Sequence, residues 1–504
     1  MTFKTAYLFA GLATVLWATD GPGRLARDLP RSSGSSPVRV IVRLHAQASG
    51  AALKRVAARG RTARQLRAVR AIAMTVPPDA LTELAADPEV EYVTPDRPIR
   101  AAMDYTVPAT GADIARAYGW DGAGIGVAVI DSGIADVADL HQAAAAGSTR
   151  LGRSRVVFRE SFVPGAAAAD PYGHGTHVAG IIAGNGWFST HAGPMAAIRG
   201  IAPAARLIDL RVLDENGVST DSAVIAALER AIELKDEYNI RVINLSLGRP
   251  LYESYHDDPL CQAVEAAWKA GLTVVTAAGN YGRDGFAGSD GYWTITSPGN
   301  DPYAITVGAM KTEASASRGD DQIASYSSKG PTLFDHVVKP DLVAPGNRVT
   351  SLMVWPEPAL ACANPESVPA AGDSHYLQLS GTSMAAPVVS GAAALLLQQE
   401  PRLTPDQVKA RLMKTAGKAF PASTVTLDAE TGTAYRSQYD IFTVGAGYVD
   451  IAAAIAGGPV AEGEALSPSV VHDPAIGATV VTTGPATVWA LSAAWGLRAV
   501  WGPQ

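Results

Sequence analysis

Beyond about residue 120, short unbroken apolar runs alternate with longer stretches in which apolar residues recur every three or four positions. The short runs are Gly126–Ile130, Leu207–Leu213, Val242–Leu247, Thr273–Ala277 and Ala304–Val307, and they predict strands buried on both faces. The longer stretches predict helices over His177–Ala183, Asp221–Asp236, Asp258–Ala270, Ser383–Gln399 and Thr404–Thr415. Ser219-Thr220 before Asp221, and Gly271 after Ala270, are boundary residues of the expected kind. Strand and helix in alternation predict an α/β fold: a mostly parallel sheet covered by helices on both faces, ending near Ala456.

The front of the chain has a different texture. Val38–Leu44 alternates apolar and basic residues, as a strand with one wet face does. A helical pattern thick with Arg follows over Ala51–Val69, then a strand at Ala71–Val76, a helix at Pro78–Ala86 and a strand at Val90–Val93. That β-α-β-α-β order over residues 38–100 predicts a small ferredoxin-like α+β unit. Residues 19–37, rich in Gly, Pro, Ser and Arg, read as a linker. Residues 1–18 read as an export signal peptide, with Lys4 ahead of the apolar run Ala6–Ala18. Residues 458–504 read as a tail without a clear core, in which Trp489, Trp495 and Trp501 recur every six residues.

Composition adds three points. With 47% apolar and 18% charged residues among 504, the chain can bury a large core and is not a disordered polymer. Residues 38–100 carry 11 Lys and Arg against 6 Asp and Glu, whereas the chain from Ala101 onward carries 26 against 40. A basic front segment can therefore pair electrostatically with an acidic body, and no nucleic-acid partner is expected. The two cysteines, Cys261 and Cys362, form neither a disulfide framework nor a zinc motif, and whether they pair is open.

The candidate chemistry sits at strand and helix ends. Asp131 closes the run Val127-Ala128-Val129-Ile130 and precedes Ser132-Gly133, which places a carboxylate at the carboxyl end of a parallel strand. His174 lies in Gly173-His174-Gly175-Thr176-His177 at a helix start, and Ser383 opens an apolar helix in Gly381-Thr382-Ser383-Met384-Ala385-Ala386-Pro387. Carboxylate, imidazole and hydroxyl in that order make a nucleophilic triad. A helix start also gathers unpaired N–H groups that favour developing negative charge. A metallohydrolase is a rival reading, with His174, His177 and Asp170 or Asp131 as ligands, although no further cluster completes the set. Otherwise His177 is expected to pack beneath the site.

These three motifs, with Ala277-Ala278-Gly279-Asn280 between the second and third, resemble the subtilase family of serine proteases over residues 122–456. The resemblance implies a subtilisin-like catalytic domain over 101–457 and an inhibitory propeptide over 38–100 that acts as intramolecular chaperone. It also implies self-cleavage within about five residues of Ala101. It makes the protein a secreted endopeptidase with polypeptide substrates, monomeric after maturation, and without a cofactor for its chemistry. Structural calcium is compatible with the acidic loop Arg249–Pro259 but has no assignable ligands. Asn280 becomes an oxyanion-hole donor together with the Ser383 N–H. Ser246, Leu247 and Gly248 become a strand that pairs with substrate, opposed by Gly217. Ala277, Ala278 and Gly279 become walls of a roomy apolar pocket. The loop at 347–376 shapes the rim. A binding protein on the same scaffold, its chemistry unused, is the second alternative.

Overall fold

The computed structural model describes residues 24–25, 29, 37–45, 49–66, 70–95, 105–142, 151–191, 197–284, 289–368, 375–428, 431–458, 462–474, 478–484 and 488. The signal peptide, the cut near Ala101, most of the linker and the three tail tryptophans lie outside them. The chain divides into two compact units, residues 1–100 and 101–504.

The first unit contains β1 (Val38–Leu44), α1 (Gly50–Ala57), β2 (Arg61–Leu66), β3 (Ala71–Val76), α2 (Ala80–Ala86) and β4 (Val90–Pro95). Its antiparallel sheet runs β2-β3-β1-β4 around a core of Val40, Val42, Val56, Ile72, Leu84 and Val93. The expected helix over 51–69 is corrected: it ends at Ala57, and Arg61–Leu66 pairs with β3 instead. Gly60 permits the change of direction. A Cβ there would stand 2.3 Å from Thr75 O, so only a glycine lets the chain turn back so close to β3.

The second unit opens with α3 (Thr106–Thr110) and α4 (Ala112–Ala117), then β5 (Gly126–Asp131), β6 (Val156–Ser161), α5 (His174–Ala183), α6 (Trp187–His191), β7 (Arg206–Arg211), α7 (Asp221–Tyr238), β8 (Ile240–Leu245), α8 (Pro259–Lys269) and β9 (Thr273–Ala277). It continues with β10 (Ile305–Lys311), β11 (Gln322–Ile323), β12 (Leu342–Pro345), β13 (Val349–Leu352), α9 (Ala359–Ala363), β14 (Tyr376–Leu379), α10 (Thr382–Gln399) and α11 (Pro405–Thr415). The hairpin β15 (Ser423–Leu427) and β16 (Ala434–Gln438), α12 (Ile451–Ala456), and the hairpin β17 (Ser469–Asp473) and β18 (Ala478–Thr482) complete it.

The main sheet runs β11-β10-β9-β8-β5-β7-β6, with β12 also on β10. Every pairing in it is parallel except β10 with β11. The all-apolar strands are buried on both faces, as their unbroken runs require. Helix α10 is apolar all round, and Ser383 is its least buried residue before the last turn. It is therefore a core helix, and its first turn carries the serine. Side chains cap three further helix starts: Thr220 on α7, Asp258 on α8, and Thr404 with Gln407 as a capping box on α11.

The expected coreless tail differs from the structure over its described part. Ala465, Val470 and Val488 belong to the main core, and Val338 N–H donates to Pro468 O at 2.7 Å. Ser467 Oγ donates to Asp341 Oδ1 and accepts from Lys409 Nζ at 2.9 Å, deep in the body. Among the described residues no helix is long and apolar enough to cross a membrane.

Candidate active site

Asp131 is the last residue of β5 and His174 the first of α5. Their side chains meet, His174 Nδ1 lying 2.7 Å from Asp131 Oδ1. An acceptor at that distance requires the proton on Nδ1, which leaves Nε2 as the basic nitrogen. Asp131 is fully buried, and its Oδ1 also accepts from Ser132 N–H at 2.8 Å. Burial disfavours the imidazolium, but the charge and hydrogen bond of Asp131, with the charge of Asp170 behind it, prevail and raise the His174 pKa above 6.5.

Ser383 faces the same cleft from the first turn of α10. Its hydroxyl donates to Ser246 O at 3.0 Å, and Ser246 Oγ returns a bond to Ser383 O at 2.8 Å. Ser246 Oγ in turn accepts from Asn244 Nδ2, and Asn244 Oδ1 accepts from Ser390 Oγ. The end of β8 is thus stapled to α10. Asn280 follows β9, and its Oδ1 accepts from Thr382 N–H at 2.9 Å and Thr382 Oγ1 at 3.1 Å.

The cleft has a volume of about 470 Å³ and brings together Tyr172, His174, Gly217, Leu247, Asn280 and Ser383. Ser246, Gly248, Ala277 and Gly279 line it as well. Ala278 does not: it is fully buried, with its N–H on Val307 O and its carbonyl accepting from Thr296 N–H. Thr296 was missed by sequence reasoning. Its side chain stands between Gly248 and Gly279, 2.7 Å from where a Cβ would lie on either one. No local pattern marks it, because it joins the site from a loop outside the four motifs.

Two expectations about the rim change and a third holds. Gly217 lies in a turn, not a strand: Asp214 Oδ1 accepts from Asn216 and Val218 N–H, and Gly217 has φ 74°. The Tyr172 ring packs where a Gly217 Cβ would be. In the acidic loop, Asp258 is committed to the α8 N-cap, to Arg249 Nη2 at 2.9 Å and to Ser297 Oγ at 2.7 Å. The described part of the 347–376 loop does reach the rim, with Ala359 and Leu360 N–H donating to Pro171 O and Tyr172 O.

The metal-ligand reading finds no converging set. His177 is buried, and its Nε2 bonds Leu377 O at 3.0 Å. Burial, with the nearby charge of His174, pushes its pKa down to about 3, so it is a neutral packing residue beneath the site. Asp170 is occupied by four hydrogen-bond donors. Among the described residues no three His, Cys, Asp or Glu side chains are grouped to hold a metal ion. Cys261 is buried and Cys362 exposed, and they are not bonded to each other.

A model of the subtilase family matches residues 122–447. Serine protease AprX of Bacillus subtilis (strain 168) is 36% identical over 352 residues, covering 68% of this chain and 73% of that protein. Subtilisin DY of Bacillus licheniformis is 34% identical over 315 residues, 62% of this chain and 91% of that protein. An extracellular serine proteinase of Thermus sp. (strain Rt41A) is 34% identical over 372 residues, covering 70% and 74%.

Proposed function

The chain belongs to the subtilase family and is a serine protease acting on polypeptides, and we propose that Asp131, His174 and Ser383 carry its reaction. The observation that carries this reading is the 2.7 Å contact between Asp131 and His174 in the cleft that also holds Ser383. Rotation about χ1 takes the Ser383 hydroxyl from Ser246 O toward His174 Nε2, a step expected when substrate enters. The oxygen attacks the peptide carbonyl while Nε2 takes its proton, and Asp131 stabilises the imidazolium. Asn280 Nδ2 and the Ser383 N–H receive the oxyanion, the latter from a helix turn whose donors have no intrahelical acceptor. His174 then protonates the leaving amine, and water releases the acyl group by the same route. Subtilases need no cofactor for these steps.

The finer reading is a secreted zymogen. The apolar run Ala6–Ala18 supports export, as does the name of the extracellular Thermus relative. A separate N-terminal unit with its own core supports a propeptide over 38–100, removed by the enzyme itself. Substrate backbone is read along Ser246–Gly248, since the Ser246 hydroxyl is already engaged with Ser383. Intact masses of folded wild type and Ser383→Ala test the whole. Loss of about sixty-five residues after position 37 in wild type alone is the expected result. Full-length wild type that no serine-directed probe labels would leave only the scaffold-binding alternative.

A further inference from the structure

Asp170 is 3% exposed and sits four residues before His174. Its Oδ1 accepts from Ser132 Oγ and Gly173 N–H, both at 2.7 Å. Its Oδ2 accepts from Thr176 N–H at 2.8 Å and Thr176 Oγ1 at 2.6 Å. Ser132 Oγ meanwhile accepts from Gly175 N–H at 2.8 Å. The residue after Asp131, both neighbours of His174 and the next residue of α5 thus converge on one carboxylate, directly or through one hydroxyl. The strand end and the helix start have no covalent link shorter than the chain from 131 to 174, so these bonds set their spacing. The backbones are already in close contact, because a Cβ on Gly175 would lie 2.2 Å from Gly133 O.

We propose that Asp170 is a positioning residue whose ionised carboxylate holds Asp131 and His174 at one working distance. The proposal rests on the triad reading above. Burial raises the Asp170 pKa while its four hydrogen bonds favour the ionised form, and an amide of the same shape cannot accept all four, because its nitrogen turns donors toward one pair of them. An offset of about 1 Å between reacting groups is enough to cost on the order of a hundredfold in rate. Asp170 also contributes charge. His174 faces Asp131 and Asp170 with neutral His177 beneath it and the Tyr172 ring at 6.4 Å. Burial, with the charges of Asp170 and Asp131 adding to it, pushes Asp209 of β7 up to about 8, and Arg159 of β6 reaches Asp209 Oδ2 at 3.2 Å.

The test uses the full chain as wild type, Asp170→Asn, Ser132→Ala and Ser383→Ala. Turnover of a peptide anilide is followed against pH and normalised to sites that react with an organophosphonate. In Asp170→Asn, kcat is expected to fall about tenfold to a hundredfold with KM within about twofold. The acid limb of kcat/KM is expected to move to lower pH, because one anion facing His174 is gone. A merely structural role would not move that limb. Ser132→Ala keeps both carboxylates and is expected to lower kcat less, with the limb in place. Folded Asp170→Asn with wild-type kcat and limb, beside inactive Ser383→Ala, overturns the role of Asp170 alone. Should Asp170→Asn fail to fold, unchanged kcat in Ser132→Ala overturns it equally. Turnover by Ser383→Ala would overturn the triad reading and this proposal together.

Discussion

Thr382 holds Asn280 by its oxygen: the backbone N–H and the hydroxyl of Thr382 both donate to Asn280 Oδ1, at 2.9 and 3.1 Å. Two donors on one face of the amide require the carbonyl oxygen there, which leaves Nδ2 free to donate on the other face. Gly279 N–H donates to Thr382 Oγ1 at 3.1 Å and closes the arrangement. The residue beside Ser383 thus orients a donor that the proposed oxyanion needs. Asn280→Ala is expected to lose about 10²–10³ in kcat with little change in KM, the loss that removing one such donor causes in subtilisin. Steady-state kinetics on active-site-titrated enzyme checks it, and wild-type kcat would remove Asn280 from the oxyanion hole.

The pH profile follows from the His174–Asp131 contact. His174 acts as a base only when neutral, and Asp131 favours its charged form, so the pKa is raised. Activity is therefore present above the raised value and is lost as pH falls through it. The acid limb of kcat/KM is expected above the ordinary imidazole value of about 6.5. Asp131→Asn moves the limb down and lowers kcat by about 10⁴, as the same change does in another serine protease. A limb at the same pH in both proteins would dissociate Asp131 from the base.

A buried charge cluster ties the C-terminal segment to stability. Asp341 binds Lys339 Nζ at 2.8 Å and Lys409 Nζ at 3.2 Å, and all three side chains are fully buried. Burial would raise the Asp341 pKa, but the two ammonium groups hold it below the usual carboxylate range. Asp341→Asn strands both of them and is expected to cost about 3–5 kcal/mol. Ser467→Ala removes one hydroxyl from the same network and is expected to cost about 1 kcal/mol. Denaturant midpoints of the purified variants measure both, and equal losses would contradict the ranking.

Thr296 stands between the two glycine walls of the cleft and is buried at its base. Thr296→Gly removes Oγ1 and Cγ2 from that space. The expected result is a gain in kcat/KM for substrates with a large aromatic residue before the scissile bond, relative to those with alanine. A panel of peptides differing only at that residue reads the ratio, and an unchanged ratio would place the pocket elsewhere.

Much of this was legible in the chain. Strands buried on both faces announce themselves as unbroken apolar runs, so β5, β7, β8, β9 and β10 were all read within a few residues of their ends. Asp131, His174 and Ser383 stood out because strand-end and helix-start chemistry is written in contiguous residues, whose neighbours set the backbone they need. Folding was left to settle what depends on distant partners. Arg61–Leu66 became a strand because β3 offered an unpaired edge, against a local pattern that favoured helix. Segment 465–470 was ordered by Asp341 and Val338, more than a hundred residues earlier. Thr296 entered the cleft, Ala278 left it, and Asp170 added Ser132 to its neighbours Gly173 and Thr176, in each case through a contact outside the local motif. Hydrophobic period and backbone preference are local properties, whereas hydrogen-bond partners and pocket walls are chosen by packing between remote segments.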